Sequence, residues 1–68
     1  MRVFVNGDEK DFGSDISLAD LIKQLDLPVA RIAIELNREV VRRSDWDSTM
    51  LKDEDRIEIV HFVGGGKN

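Results

Sequence analysis

The chain has 68 residues, a formal net charge of −4 and 35% charged residues, with one histidine and no cysteine. A chain this short forms one domain that buries only about 60% of its unfolded surface, and without cysteine neither a disulfide nor a thiolate metal site can supplement that core. One histidine argues against an all-protein catalytic metal centre, and the acidic balance argues against a nucleic-acid binder and favours a basic protein partner.

Met1 to Val5 reads as a strand, with Met1, Val3 and Val5 on one face and Arg2 and Phe4 on the other. Asn6-Gly7 follows, the strongest short-range signal for a type I′ hairpin, because both positions must accept positive φ. A second, charged strand is therefore expected over about Glu9 to Phe12, at a sheet edge. Ile16 to Leu27 carries helical periodicity, with Leu18, Leu21, Ile22 and Leu25 on one side. Ser17 is the expected N-cap and Asp20 completes a capping box, with Ile16 and Leu21 placed as a hydrophobic staple. Pro28 is expected to close the helix.

Alternation returns from Arg31 to Leu36, with Ile32, Ile34 and Leu36 inward and Arg31, Ala33 and Glu35 outward. Asn37-Arg38 is a poorer turn pair than Asn-Gly, yet Val40 and Val41 suggest a short returning strand. Ser44 to Ser48 reads as a turn or single helical turn, with Trp46 over the edge of the core. Lys52 to Asp55 is a polar connection, and Arg56 to Val63 is the final strand. The order β-β-α-β-β-β describes an α+β domain, a mixed sheet with one helix across one face, and it leaves the other face open.

Three glycines, Gly64, Gly65 and Gly66, follow that strand and precede Lys67-Asn68. Residues 1–63 are thus expected to form the body and residues 64–68 a flexible tail, slim enough to enter a narrow slot and reaching about 10 Å over three residues. If Ile57 and Ile59 face the helix, Glu58, Val60 and Phe62 lie on the open face with Phe4 and Ala33, a candidate docking patch beside the tail. His61 has a titration range suited to acid-base work, but it lies at the end of the inward face without a catalytic companion, so a structural or rim role is the better reading. Asp45, Asp47, Asp53, Glu54 and Asp55 lack the ligand spacing and turn glycine of a calcium loop, and are read as solvated loop or as a docking face for basic groups. No catalytic or metal-binding residues are assigned. No segment has the ~20 apolar residues of a membrane span or the pattern of a signal peptide, so a soluble cytoplasmic protein with no membrane partner is expected.

The opening strand with Asn6-Gly7, the Glu35-Leu36-Asn37 turn with Val40-Val41, Leu51-Lys52-Asp53, Arg56 to Val60 and the terminal glycines together resemble the ThiS family, the sulfur carriers of thiamine biosynthesis. The resemblance covers essentially the whole chain and implies a ubiquitin-like β-grasp fold with a five-stranded mixed sheet. The family usually ends at the glycines, whereas Lys67-Asn68 follow here. Either these two residues are clipped to make Gly66 the terminus, or the protein is used uncut, or they do not belong to the mature protein.

The resemblance also implies a chemistry. An adenylyltransferase of the ubiquitin-activating type would use ATP to adenylate the Gly66 carboxylate, and sulfur from a persulfide donor would convert it to a thiocarboxylate for thiazole synthase. Gly64 and Gly65 would thread the terminus into those active sites. The chain itself would be a co-substrate with no bound cofactor, not an enzyme. Rival readings are the small subunit of molybdopterin synthase, a protein-modifying ubiquitin-like tag, and a β-grasp interaction module whose glycines have no role.

Overall fold

The structure is a computed structural model in which residues 1–13 and 15–62 are described. Its first hairpin is the one that Asn6-Gly7 demands. Asn6 at φ 49° and Gly7 at φ 85° both occupy the left-handed region, so β1 (Arg2–Val5) turns directly into the antiparallel β2 (Asp8–Asp11). β2 is exposed along its whole length, as an edge strand of charged residues should be. It starts and ends one residue earlier than the expected Glu9 to Phe12, and Phe12 packs against the core from outside the ladder.

Helix α1 (Leu18–Gln24) is shorter than the periodicity over Ile16 to Leu27 predicts. Its start is as expected: the Ser17 hydroxyl accepts from the Asp20 N–H at 3.0 Å, and the Asp20 carboxylate accepts from the Ser17 N–H at 3.1 Å. Its end is not set by Pro28. Asp26 adopts φ 55° and donates its N–H to the Lys23 carbonyl at 3.1 Å, while the Leu27 N–H reaches the Ile22 carbonyl at 3.4 Å. This is a Schellman motif, and it satisfies the last carbonyls before the proline is reached. Leu25 and Leu27 still pack against the core, which is why the apolar periodicity of the sequence continues past the last helical turn.

After a 3-10 turn at Val29–Arg31 come β3 (Ile32–Leu36) and β4 (Glu39–Val41), antiparallel to each other. Asn37 at φ 51° and Arg38 at φ 74° make this turn a structural echo of Asn6-Gly7, although arginine gains nothing from the left-handed region. A second 3-10 turn, Arg43–Asp45, leads to Trp46, which is buried and donates its indole N–H to the Val41 carbonyl at 2.9 Å. Strand β5 (Arg56–His61) then enters the middle of the sheet, antiparallel to β3 and parallel to β1. The described strand stops at His61; Val63 of the expected strand lies outside the described residues.

The sheet order is β2-β1-β5-β3-β4. Val3, Val5, Ile32, Ile34, Ile57 and Ile59 project from one face against Leu18, Leu21 and Ile22 of α1, and Trp46 and Leu51 complete the core. The long connection between β4 and β5 is bound to the start of the helix. The Leu18 N–H donates to the Thr49 carbonyl, the Leu51 N–H to the Ile16 carbonyl, and Ser17 forms a bridge with Met50. No helix among the described residues is long and apolar enough to cross a membrane.

Candidate functional site

The candidate site is the sheet face opposite the helix together with the end of β5, which leads to the glycines. Alternation along each strand decides which side chains reach it. On β5 these are Arg56, Glu58 and Val60, followed by Phe62; on β1 they are Arg2 and Phe4; on β3, Ala33 and Glu35. The register sets Ala33 opposite Val60 and Glu35 opposite Glu58. The five docking residues read from the sequence, Phe4, Ala33, Glu58, Val60 and Phe62, thus occupy one face.

They do not form one continuous apolar patch. Phe4 is level with Arg56, whose guanidinium carbon lies 4.7 Å from the ring centroid, and that of Arg2 lies 5.5 Å away. These contacts half-bury the ring under cationic groups. The apolar end is instead Ala33, Val60 and Phe62, of which Val60 is 56% and Phe62 46% exposed, while the exposed Val40 stands opposite Glu35. Between the two ends, Glu35 and Glu58 face each other across the antiparallel ladder. Like charges directly opposite repel, and neither carboxylate has an ion pair among the described residues. They border an open hollow with Asn37, Arg38 and Arg56.

Two asparagines hold β5 in place, and sequence reading assigned them only to turns. The Asn6 side chain acts as a strand residue: its Oδ1 accepts from the Ile59 N–H at 2.6 Å and its Nδ2 donates to the Ile59 carbonyl at 3.2 Å. At the other end of β5, Asn37 Oδ1 accepts from the Arg56 N–H at 2.9 Å, and Nδ2 donates to Asp55 Oδ1 at 3.0 Å. Asp55 is itself buried and also accepts from the Lys52 N–H at 2.8 Å. It belongs to the support of the site and is no part of a solvated acidic run. Asp53 and Glu54 are likewise engaged, by the Arg2 N–H and the Arg2 guanidinium respectively, and the latter contact raises the Arg2 pKa above its ordinary value. Among the described residues no three histidine, aspartate or glutamate side chains converge in a way that could hold a metal ion.

His61 is exposed, on the helix side of the sheet, beside a hollow lined by Val5, Leu25, Leu27 and Ile59. Gly64, Gly65 and Gly66 lie outside the described residues.

A five-stranded mixed sheet in this order, crossed by one helix, with its last strand central and followed in sequence by three glycines, is the ubiquitin-like β-grasp. The particular branch follows from comparison with known proteins. The ThiS family profile matches residues 2–66, and the chain belongs to that family. It is 38% identical over 58 residues to the sulfur carrier protein ThiS of Bacillus subtilis, covering 85% of this chain and 83% of that one. The crystal structure of the thiamine biosynthesis protein ThiS from Geobacter metallireducens superposes with a TM-score of 0.86 at 32% identity, covering 97% of this chain and 100% of that one. The whole chain is also 32% identical to part of the thiazole synthase of Paramagnetospirillum magneticum, and it spans 21% of that protein's length.

Proposed function

We propose that this chain is a sulfur-carrier protein that supplies sulfur for thiazole formation in thiamine biosynthesis. The observation that carries the proposal is the family match, which runs through the body and extends to Gly66, the residue whose carboxylate would be activated. A carboxylate resists acyl transfer because the anion repels nucleophiles and has no adequate leaving group. An adenylyltransferase of the ubiquitin-activating type would therefore convert it to an acyl adenylate with ATP, releasing pyrophosphate. A persulfide sulfur then attacks the acyl carbon, AMP departs, and thiol cleavage of the resulting S–S bond leaves the thiocarboxylate. On this reading the chain contributes no catalytic group, and Gly64 and Gly65 carry the terminus into the partner's active site.

The thiazole synthases that match this chain within a longer polypeptide support thiazole synthase as the acceptor partner. The open face supports docking. The apolar end at Ala33, Val60 and Phe62 adjoins the root of the tail, and the uncompensated Glu35 and Glu58 favour a partner that brings a basic side chain.

The test is intact mass spectrometry of the protein from its native host, before and after incubation with ATP, the host adenylyltransferase and a persulfide donor. Loss of Lys67-Asn68 followed by one oxygen-to-sulfur exchange is the expected result and assigns the sulfur to Gly66. An exchange without clipping moves the site to Asn68. A mass that never changes overturns the carrier reading and leaves a β-grasp binding module.

A further inference from the structure

The peptide groups of β5 alternate in direction, and at the His61 end the edge turned away from β3 has no neighbouring strand among the described residues. The Phe62 N–H donates to the Arg31 carbonyl at 2.9 Å, and by the same register Val60 and Glu58 pair with β3. The odd-numbered residues point the other way. Ile57 accepts from the Asn6 N–H at 2.8 Å, and Ile59 is met by the Asn6 side chain, which takes both of its peptide groups. β1 has ended at Val5, and the chain turns away at Asn6-Gly7. The N–H and C=O of His61 therefore have no strand beside them among the described residues.

Below this free edge, on the helix side, lies the hollow whose apolar lining is Val5, Leu25, Leu27 and Ile59, with the polar Asn6, Asp8, Lys10 and His61 completing it. A residue paired with His61 would send its side chain to the same face as His61, into that hollow. Strand addition needs these two features together: main-chain groups to pair with and a pocket for alternate side chains.

We propose that an extended segment of the enzyme that activates the tail adds here as a strand beside β5, pairing with His61 and placing one apolar side chain in the hollow. The inference rests on the carrier reading, which requires a partner to hold the root of the tail. His61 stands three positions before Gly64, so a strand laid against it grips the body next to the residues to be activated. A second copy of the chain is the weaker occupant, because each copy carries a net charge of −4.

The experiment is amide hydrogen exchange at His61, read by NMR for the full chain alone and with the host ATP-dependent adenylyltransferase, alongside the affinity of Leu27→Asp for that enzyme. We expect the His61 amide to slow by about tenfold or more on binding, and Leu27→Asp to bind at least about tenfold more weakly. Unchanged His61 exchange in a complex that still adenylates the terminus refutes the added strand and leaves the carrier reading standing. Failure to adenylate at all removes both. Protection in the free protein that grows with its concentration gives the edge to a second copy and overturns the proposal. Should Leu27→Asp lose its fold by circular dichroism, the wild-type exchange result decides.

Discussion

Asp55 gives the sharpest test of how the central strand is held. Its carboxylate accepts from Asn37 Nδ2 at 3.0 Å and from the Lys52 N–H at 2.8 Å, and the residue is only 9% exposed. Each hydrogen bond to an ionised acceptor contributes about 1.5 to 3 kcal/mol, and truncation leaves two donors that water reaches only in part. Because the two bonds share one carboxylate and are not additive, Asp55→Ala should cost about 2 to 3 kcal/mol in total. A domain of this length is stable by only about 3 to 10 kcal/mol, so the loss is a large share of the whole. Urea denaturation followed by Trp46 fluorescence reads it directly: with a slope of about 1 kcal/mol per molar, the midpoint should fall by about 2 M or more. Asp53→Ala is the internal control, since its side chain accepts one exposed bond from the Arg2 N–H, and it should cost below about 1 kcal/mol. A double-mutant cycle with Asn37→Ala should show a coupling of about 1 kcal/mol. An Asp55→Ala midpoint no lower than that of Asp53→Ala would refute the argument that this carboxylate anchors β5.

Arg38→Gly and Asp26→Gly both relieve left-handed backbone, at φ 74° and φ 55°, and each should stabilise by about 1 kcal/mol in the same assay. The Ser17 N–H and then the Ser17 hydroxyl hold the Asp20 pKa below its ordinary 3.8. The folded state therefore binds its proton less readily, and this contribution is present above pH 3.8 and lost as pH falls through the folded value. The advantage of the wild type over Asp20→Asn should accordingly shrink below pH 3.8, as read by denaturation at a series of pH values. Gly65→Val should abolish adenylation while leaving the melting transition unchanged, because the substitution concerns passage of the tail and not the body; normal adenylation would remove threading from the account. Val60→Asp should weaken binding to the adenylyltransferase, measured by titration calorimetry, and unchanged affinity would remove the apolar end of the open face from the docking surface.

Local physics determined much of this protein from its sequence. Asn6-Gly7 specifies a hairpin because both residues accept positive φ, Ser17 with Asp20 caps a helix because their groups lie three residues apart, and the alternation in β1, β3 and β5 selects the buried face. The three glycines behind the last strand, together with the order of elements before them, carry the resemblance to the family. The tertiary structure decided what depends on partners distant in sequence. Leu25 and Leu27 repeat at helical spacing, yet Asp26 turns the chain out of the helix because the Schellman bonds satisfy its last carbonyls. Asp55 reads as one of four polar loop residues, and only its meeting with Asn37, 18 positions away, explains why it is buried. Phe4 reads as an open-face apolar residue, and only the parallel pairing of β1 with β5 sets Arg56 across its ring. The free edge at His61 is of the same kind. It exists because β1 ends at Val5 while β5 continues to His61, a difference in strand length that becomes visible only once the two lie side by side.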